Sequence, residues 1–419
     1  MAKLDRQRTL VLAALFVALF FIVAGAHNTV PIFLTPFMRK YGWSHSRVAV
    51  IPTVFALVFG LSSPAIGWLV DRFEVHRVMV VGVVITVVGM LLAASANGFG
   101  PMVFAYVVIG AGSAMASTVP LTVIAARWFA DRRGFAMGVA VAGMSSGGVI
   151  LPPVTDYIIR TMSIGAAYVA LAAPVALIAL PLVAFVIRYT PPAAEPAHAG
   201  LPAAELPGLD FAEAMRSVPF WTLIVALFLG SISLISLFFF ITPSLIHAGF
   251  SSRNAALVQS AQNLVAVPGL IIAGTLADRF SGRKVAAALL AGLGVSSLLL
   301  MEAGSHSPAW PLYVVLFIVL FGSTAGVTTA VFPVALAELV GLKRFGTLSG
   351  FTMLAGTFGA ATGPLLVGRL FDLSGSYALG FKVAAGICFV SAAMTLTLVM
   401  AGALEQLSPA QIRAAAARH

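Results

Sequence analysis

Twelve long apolar stretches, divided by short breaks of charged, Gly, Pro or Ser residues, constrain this chain more than any other feature. They fall at about 10–38, 48–70, 78–97, 101–127, 133–157, 164–188, 218–248, 254–277, 284–303, 308–338, 346–370 and 377–402. A bilayer core about 30 Å thick is crossed by roughly 20 apolar residues in a helix, and each stretch meets that length. Of 419 residues, 60% are hydrophobic and 9% charged, and the mean hydropathy is +1.04. That is more apolar surface than a water-soluble core can cover, so most of the chain is solvated by lipid. The alternating ten-residue segments of a membrane barrel are absent, which selects helices. The first stretch contains His27, Asn28 and Pro31 and lacks a small-residue cleavage site, so it reads as a retained helix and not a signal peptide.

The chain also repeats itself. Gly67-Trp68-Leu69-Val70-Asp71-Arg72-Phe73 closes the second stretch, and Gly274-Thr275-Leu276-Ala277-Asp278-Arg279-Phe280 closes the eighth. Further on, Arg133-Gly134-Phe135-Ala136-Met137-Gly138 aligns with Phe345-Gly346-Thr347-Leu348-Ser349-Gly350, and Pro152 and Pro364 keep the same offset. Small residues at these places let helix backbones approach closely. The fold class this predicts is an all-α membrane protein, twelve transmembrane helices in two pseudo-symmetric six-helix bundles. Residues 1–188 form the first bundle, 189–217 a linker with Pro191, Pro192, Pro202 and Pro207, and 218–419 the second bundle and a short tail. The linker's end, Asp210 to Ser217, has the composition of a short amphipathic surface helix. Duplicated helical membrane folds characteristically carry a substrate site near the midplane between the halves.

Twelve spans put both termini on one side, and 17 of the 24 Lys and Arg residues fall on that side against 7 on the other. The positive-inside rule makes it cytoplasmic, in a multi-pass protein of the cell inner (plasma) membrane. The net charge of +10 is accounted for by topology, and no soluble basic face exists to bind nucleic acid. The lone Cys388 excludes an intrachain disulfide and a thiolate metal cluster. There is no Gly-rich phosphate loop with a Lys, no metal-ligand spacing and no enzyme signature. The expectation is a non-enzymatic protein without cofactor or metal, driven by ion or solute gradients. Its expected partners are a small molecule, protons and the lipid bilayer. Short outer loops and the absence of a soluble domain favour a monomer, and the short linker and tails with both Asp-Arg pairs retained argue against a non-transporting sensor or scaffold.

The paired Gly-x-Leu-x-Asp-Arg segments, set in a twelve-span, two-half layout, resemble the major facilitator superfamily along essentially the whole chain. In the first copy the motif's usual small and basic tail is replaced by Glu74-Val75-His76-Arg77, whereas the second keeps Ser281-Gly282-Arg283-Lys284. The resemblance implies alternating access, with Asp71, Arg72, Asp278 and Arg279 at a cytoplasmic gate where the carboxylates bind neighbouring helix ends. The plainer alternative is that these are only topology-setting charges. Within the superfamily, Arg127-Trp128-Phe129-Ala130-Asp131-Arg132-Arg133-Gly134-Phe135-Ala136-Met137-Gly138, then Ala142-Gly143-Met144-Ser145-Ser146-Gly147-Gly148 and Pro152-Pro153, look like the monocarboxylate transporter family and its oxalate/formate relatives. Tyr41-Gly42-Trp43-Ser44 is similar too. This implies movement of small organic acids by proton symport or anion exchange. Members of that family carry an arginine midway along the eighth helix; here Val267 and Pro268 stand about there. A carboxylate in a low-dielectric cavity needs a cation or several donors. An exporter of neutral or amphipathic molecules is therefore the alternative.

Polar groups at membrane depth are costly and normally face a cavity or a partner. His27 and Asn28 on the first helix are the leading substrate contacts; a hydrogen-bonded structural histidine is the competing reading. Gln259, Gln262 and Asn263 on the eighth helix and Thr328 on the tenth are further candidates, set against a role as interhelical glue. Ser113, Ser117, Thr118, Thr324 and Thr329 are weaker. Asp156 and Arg160, four apart, form either a local ion pair or an outer gate. Arg369 and Asp372 occupy a comparable place in the second half.

Overall fold

The computed structural model describes residues 2–129, 132–187, 208–303 and 309–405. Most of the expected linker, 188–207, lies outside the described residues, as do Ala130 and Asp131 of the motif before the fifth helix. Twelve helices are long and apolar enough to cross a membrane: α1 (Arg6–Tyr41), α2 (Arg47–Arg72), α3 (Val75–Ser95), α4 (Phe99–Trp128), α5 (Arg133–Thr161), α6 (Ile164–Val186), α7 (Val218–His247), α8 (Arg253–Phe280), α9 (Gly282–Ala303), α10 (Trp310–Val340), α11 (Phe345–Ser374) and α12 (Tyr377–Met400). Among the described residues there is no sheet; one isolated bridge joins Gly208 to Gly341.

The helix ends follow local chemistry. Ser44, Ser163 and Ser251 accept backbone N–H bonds at the starts of α2, α6 and α8. Gly42 and Gly375 close α1 and α11 in the left-handed conformation, with φ of 66° and 69°. The short helix Phe211–Arg216 is held by a capping box between Asp210 and Glu213. It does more than float on a surface. Leu209 N–H donates to the Val340 carbonyl at 2.8 Å, Lys343 pairs with Asp210 at 2.8 Å, and the Phe211 and Phe351 rings lie 5.6 Å apart.

Several helices that sequence periodicity reads as continuous are broken along their length, α6 by π-turns at Val175–Ala179 and Leu182–Val186. α1 contains a π-turn at Ala24–Asn28, and α10 contains one at Val327–Val331. α4 is interrupted between Met115 and Thr118. Proline accounts for part of this: Pro120 and Pro333 have no N–H to give the carbonyls of Ala116 and Thr329 four residues earlier. π-turns inside helices occur frequently at functional sites.

Within each half the helices approach through glycine. A Cβ at Gly143 would overlap the Phe16 carbonyl, and one at Gly147 would sit 2.5 Å from the Phe20 carbonyl, which sets the α1/α5 contact. Gly359 and Gly363 do the same against Phe228 and Ile232 along α7/α11. The first half also buries an aromatic stack in which Phe33 lies 4.2 Å from Tyr168, whose hydroxyl meets that of Tyr106 at 2.7 Å.

A cavity between two halves

The halves meet along two seams, α2 against α11 and α5 against α8. Both are closest on the face that carries the start of α1, where Gly67 abuts the Gly346 backbone and Gly134 abuts Gly274 so tightly that a Cβ at any of the four would overlap the opposite chain. Each seam is pinned there by one of the repeated aspartates. Asp71 accepts from the N–H groups of Gly346 (2.9 Å) and Thr347 (2.7 Å) and from the Thr347 hydroxyl (2.7 Å). Asp278 accepts from the N–H groups of Gly134 (2.6 Å) and Phe135 (2.8 Å). A carboxylate at a helix N-terminus meets otherwise unsatisfied donors and the positive end of the dipole, so these are strong contacts. Arg72 and Arg279 do not join them; they lie over the rings of Trp68 and Phe280, at 5.2 and 5.4 Å.

Beyond this closure, at mid-membrane, lies a cavity of about 310 Å³. Its apolar wall includes Phe55, Phe59, Met144, Leu234, Phe332 and Met353. Hydroxyls dot it at Thr118, Thr122, Ser231, Thr328, Ser349 and Thr352. Several of these bond their own helices, such as Thr122 to Val119 O (2.7 Å) and Thr352 to Ser349 O (2.7 Å). One lining side chain is ionisable: His27, exposed to the cavity, its ring stacked on Phe55 at 5.4 Å and 15°. No Asp, Glu, Lys or Arg lines it among the described residues.

Of the residues expected from sequence, His27 and Thr328 are brought together on this wall, with Thr118 and Thr329 from the weaker set. Asn28 points away, its amide donating to the Met144 carbonyl at 3.3 Å. Gln259, Gln262 and Asn263 are not on the cavity wall; Gln262 is 3% exposed, with its backbone facing Gly322 of α10. Asp156 and Arg160 form their local ion pair at 2.8 Å on the opposite face. Arg369 and Asp372, both exposed, form no such pair among the described residues. Phe55, Ser349 and Thr352 were missed, although Ser349, Thr352 and Gly356 share one helical face of α11, a spacing a periodicity search can detect.

The model of the Major Facilitator Superfamily matches residues 15–262 and 245–416. The chain belongs to the major facilitator superfamily. It is similar to monocarboxylate transporter 13 of Bos taurus, with 25% identity over 90% of this chain and 86% of that one. It is also similar to the agnestins efflux protein AgnL12 of Paecilomyces divaricatus, with 26% identity over 79% of this chain and 73% of the other. Among solved structures, the fucose:proton symporter FucP of E. coli superposes with a TM-score of 0.68 over 92% of this chain and 98% of its own, at 15% identity. The fold is therefore that of the superfamily, and the protein is a secondary transporter and not an enzyme.

Proposed function

We propose that this transporter moves small organic acids with an apolar body together with protons across the cell inner membrane. The observation that carries this is that His27 is the one ionisable side chain on the cavity wall among the described residues. A bare carboxylate in so apolar a space leaves its charge uncompensated. Charge is neutralised if a proton travels with it, held either on the acid or on His27, whose unperturbed titration lies near neutral pH. The missing arginine of α8 thus points to obligatory proton coupling. Anion exchange fits less well, because in each half-cycle an anion would cross with its charge uncompensated by any fixed cation on the wall among the described residues. The likeness to a monocarboxylate transporter supports the same class of cargo.

In this proposal the 17-to-7 Lys/Arg bias makes the closed face cytoplasmic. The state described is then outward-facing, with Asp71 and Asp278 holding the inner gate. The bundles divide at the 189–217 linker, and one chain suffices for transport. A second reading, export of neutral amphipathic molecules, is favoured by the Phe-rich wall and by the likeness to an efflux protein.

The test is uptake into proteoliposomes of labelled mono- and dicarboxylates and of neutral aromatic compounds, with and without an inward proton gradient. Gradient-stimulated uptake of aromatic or branched monocarboxylates is expected. Carboxylate silence with movement of a neutral compound overturns the proposal in favour of the second reading.

A further inference from the structure

We propose that Asn28 is a positioning residue, whose amide, seated over Gly148, fixes the turn that presents His27 to the cavity. His27 makes no hydrogen bond to the protein among the described residues; its ring only stacks on Phe55. Its direction is therefore set by the backbone beneath it, the π-turn Ala24–Asn28. A π-turn packs an extra residue into the helical ladder, so side chains beyond it are rotated from their α-helical places, and such a turn needs outside support to persist.

Two bonds supply support. Thr29 Oγ1 donates to the Gly25 carbonyl at 2.6 Å within the turn. Asn28 Nδ2 donates to the Met144 carbonyl of α5 at 3.3 Å, and the Met144 side chain itself lines the cavity. The bond is made possible by Gly148, where any Cβ would collide with the Asn28 amide nitrogen.

The repeat isolates this feature. Gly147 and Gly359, at matching places in the two halves, both admit a neighbouring backbone carbonyl. The next pair is Gly148 and Ala360. In the second half the facing helix α7 runs through without a π-turn, and the alanine faces the cavity. Gly148 thus departs from the repeat where α1 is broken and an asparagine side chain must be housed. The amide suits the place because it can donate to the Met144 carbonyl, whereas Asp would set a carboxylate against that carbonyl.

This inference rests on His27 being the cavity's titrating group, so its test reads His27 directly as well as transport. The full chain in lipid nanodiscs, labelled with ¹⁵N-histidine, is titrated with acid by NMR without substrate. The His27 signal is assigned by its loss in His27→Gln. Asn28→Ala and Gly148→Ala should each move the His27 midpoint by about 0.5 pH unit or more. Each should also raise the KM for the best-transported acid about tenfold in the wild-type background but less than about twofold in the His27→Gln background. If Asn28→Ala does not fold, Gly148→Ala, which adds one methyl group, carries the test. An unmoved His27 midpoint, or an equal effect with and without His27, overturns the inference. Failure of the organic-acid reading would appear separately, as absent carboxylate uptake with the NMR coupling intact.

Discussion

At the scale of single residues, two kinds of polar side chain at membrane depth behave oppositely. His27 is presented to a largely apolar cavity, whereas Asp71 and Asp278 are consumed by contacts with helix ends of the other half. Replacing His27 by Gln keeps a similar size and the capacity to hydrogen-bond but removes the titration. Proton-gradient stimulation of uptake should fall about tenfold, and the pH dependence should flatten; initial rates across a pH series measure both. Replacing Asp278 by Asn keeps one acceptor and loses the charge and one of two N–H bonds, at a cost of about 1.5–3 kcal/mol. The closed face should then open about tenfold or more often. Modification of a single cysteine introduced at the α5/α8 seam reads this directly, because the native Cys388 is fully buried and silent. The two aspartates and the histidine stand out in the sequence as candidates. Their partners were not legible, since Asp71 and Thr347 lie 276 positions apart.

At the scale of helices, glycine decides which pairs touch. Gly274 and Gly134 allow the α5 and α8 backbones to meet at the closed face, where packing, and not hydrophobicity, drives association in lipid. Gly274→Ala should hold that face apart, reducing transport at least about tenfold while leaving each half folded. Gly386→Ala, where a Cβ meets nothing within 4 Å, should be neutral and is the control. Both are checked by uptake together with thermal unfolding. Periodicity and composition located all twelve helices to within a few residues, but not the breaks in α1, α4, α6 and α10. An isolated proline signals a weakened helix without saying whether it bends, frays or forms a π-turn; neighbouring helices make that choice.

At the scale of the molecule, the asymmetry between the halves matters more than their likeness. The first half contributes the histidine and its broken helix; the second contributes most of the hydroxyls on α10 and α11. On the proposed reading the titrating chemistry is concentrated on one side of the cavity, so rocking of one half against the other would move His27 with α1.

What the sequence determined by itself was the solvent, the number of spans, the duplication and the membership of the superfamily. All of these follow from local apolar length and from motifs that repeat along the chain. What only the tertiary structure decided was which polar residues share a space. The amides of α8 were candidates beside His27, yet α8 sends none of them to the cavity, while α11 supplies hydroxyls that composition did not single out. The physical reason is that a helix in a bundle presents several faces with similar chemistry. Contacts between residues hundreds of positions apart, set by the small side chains at the seams, choose which face meets the substrate.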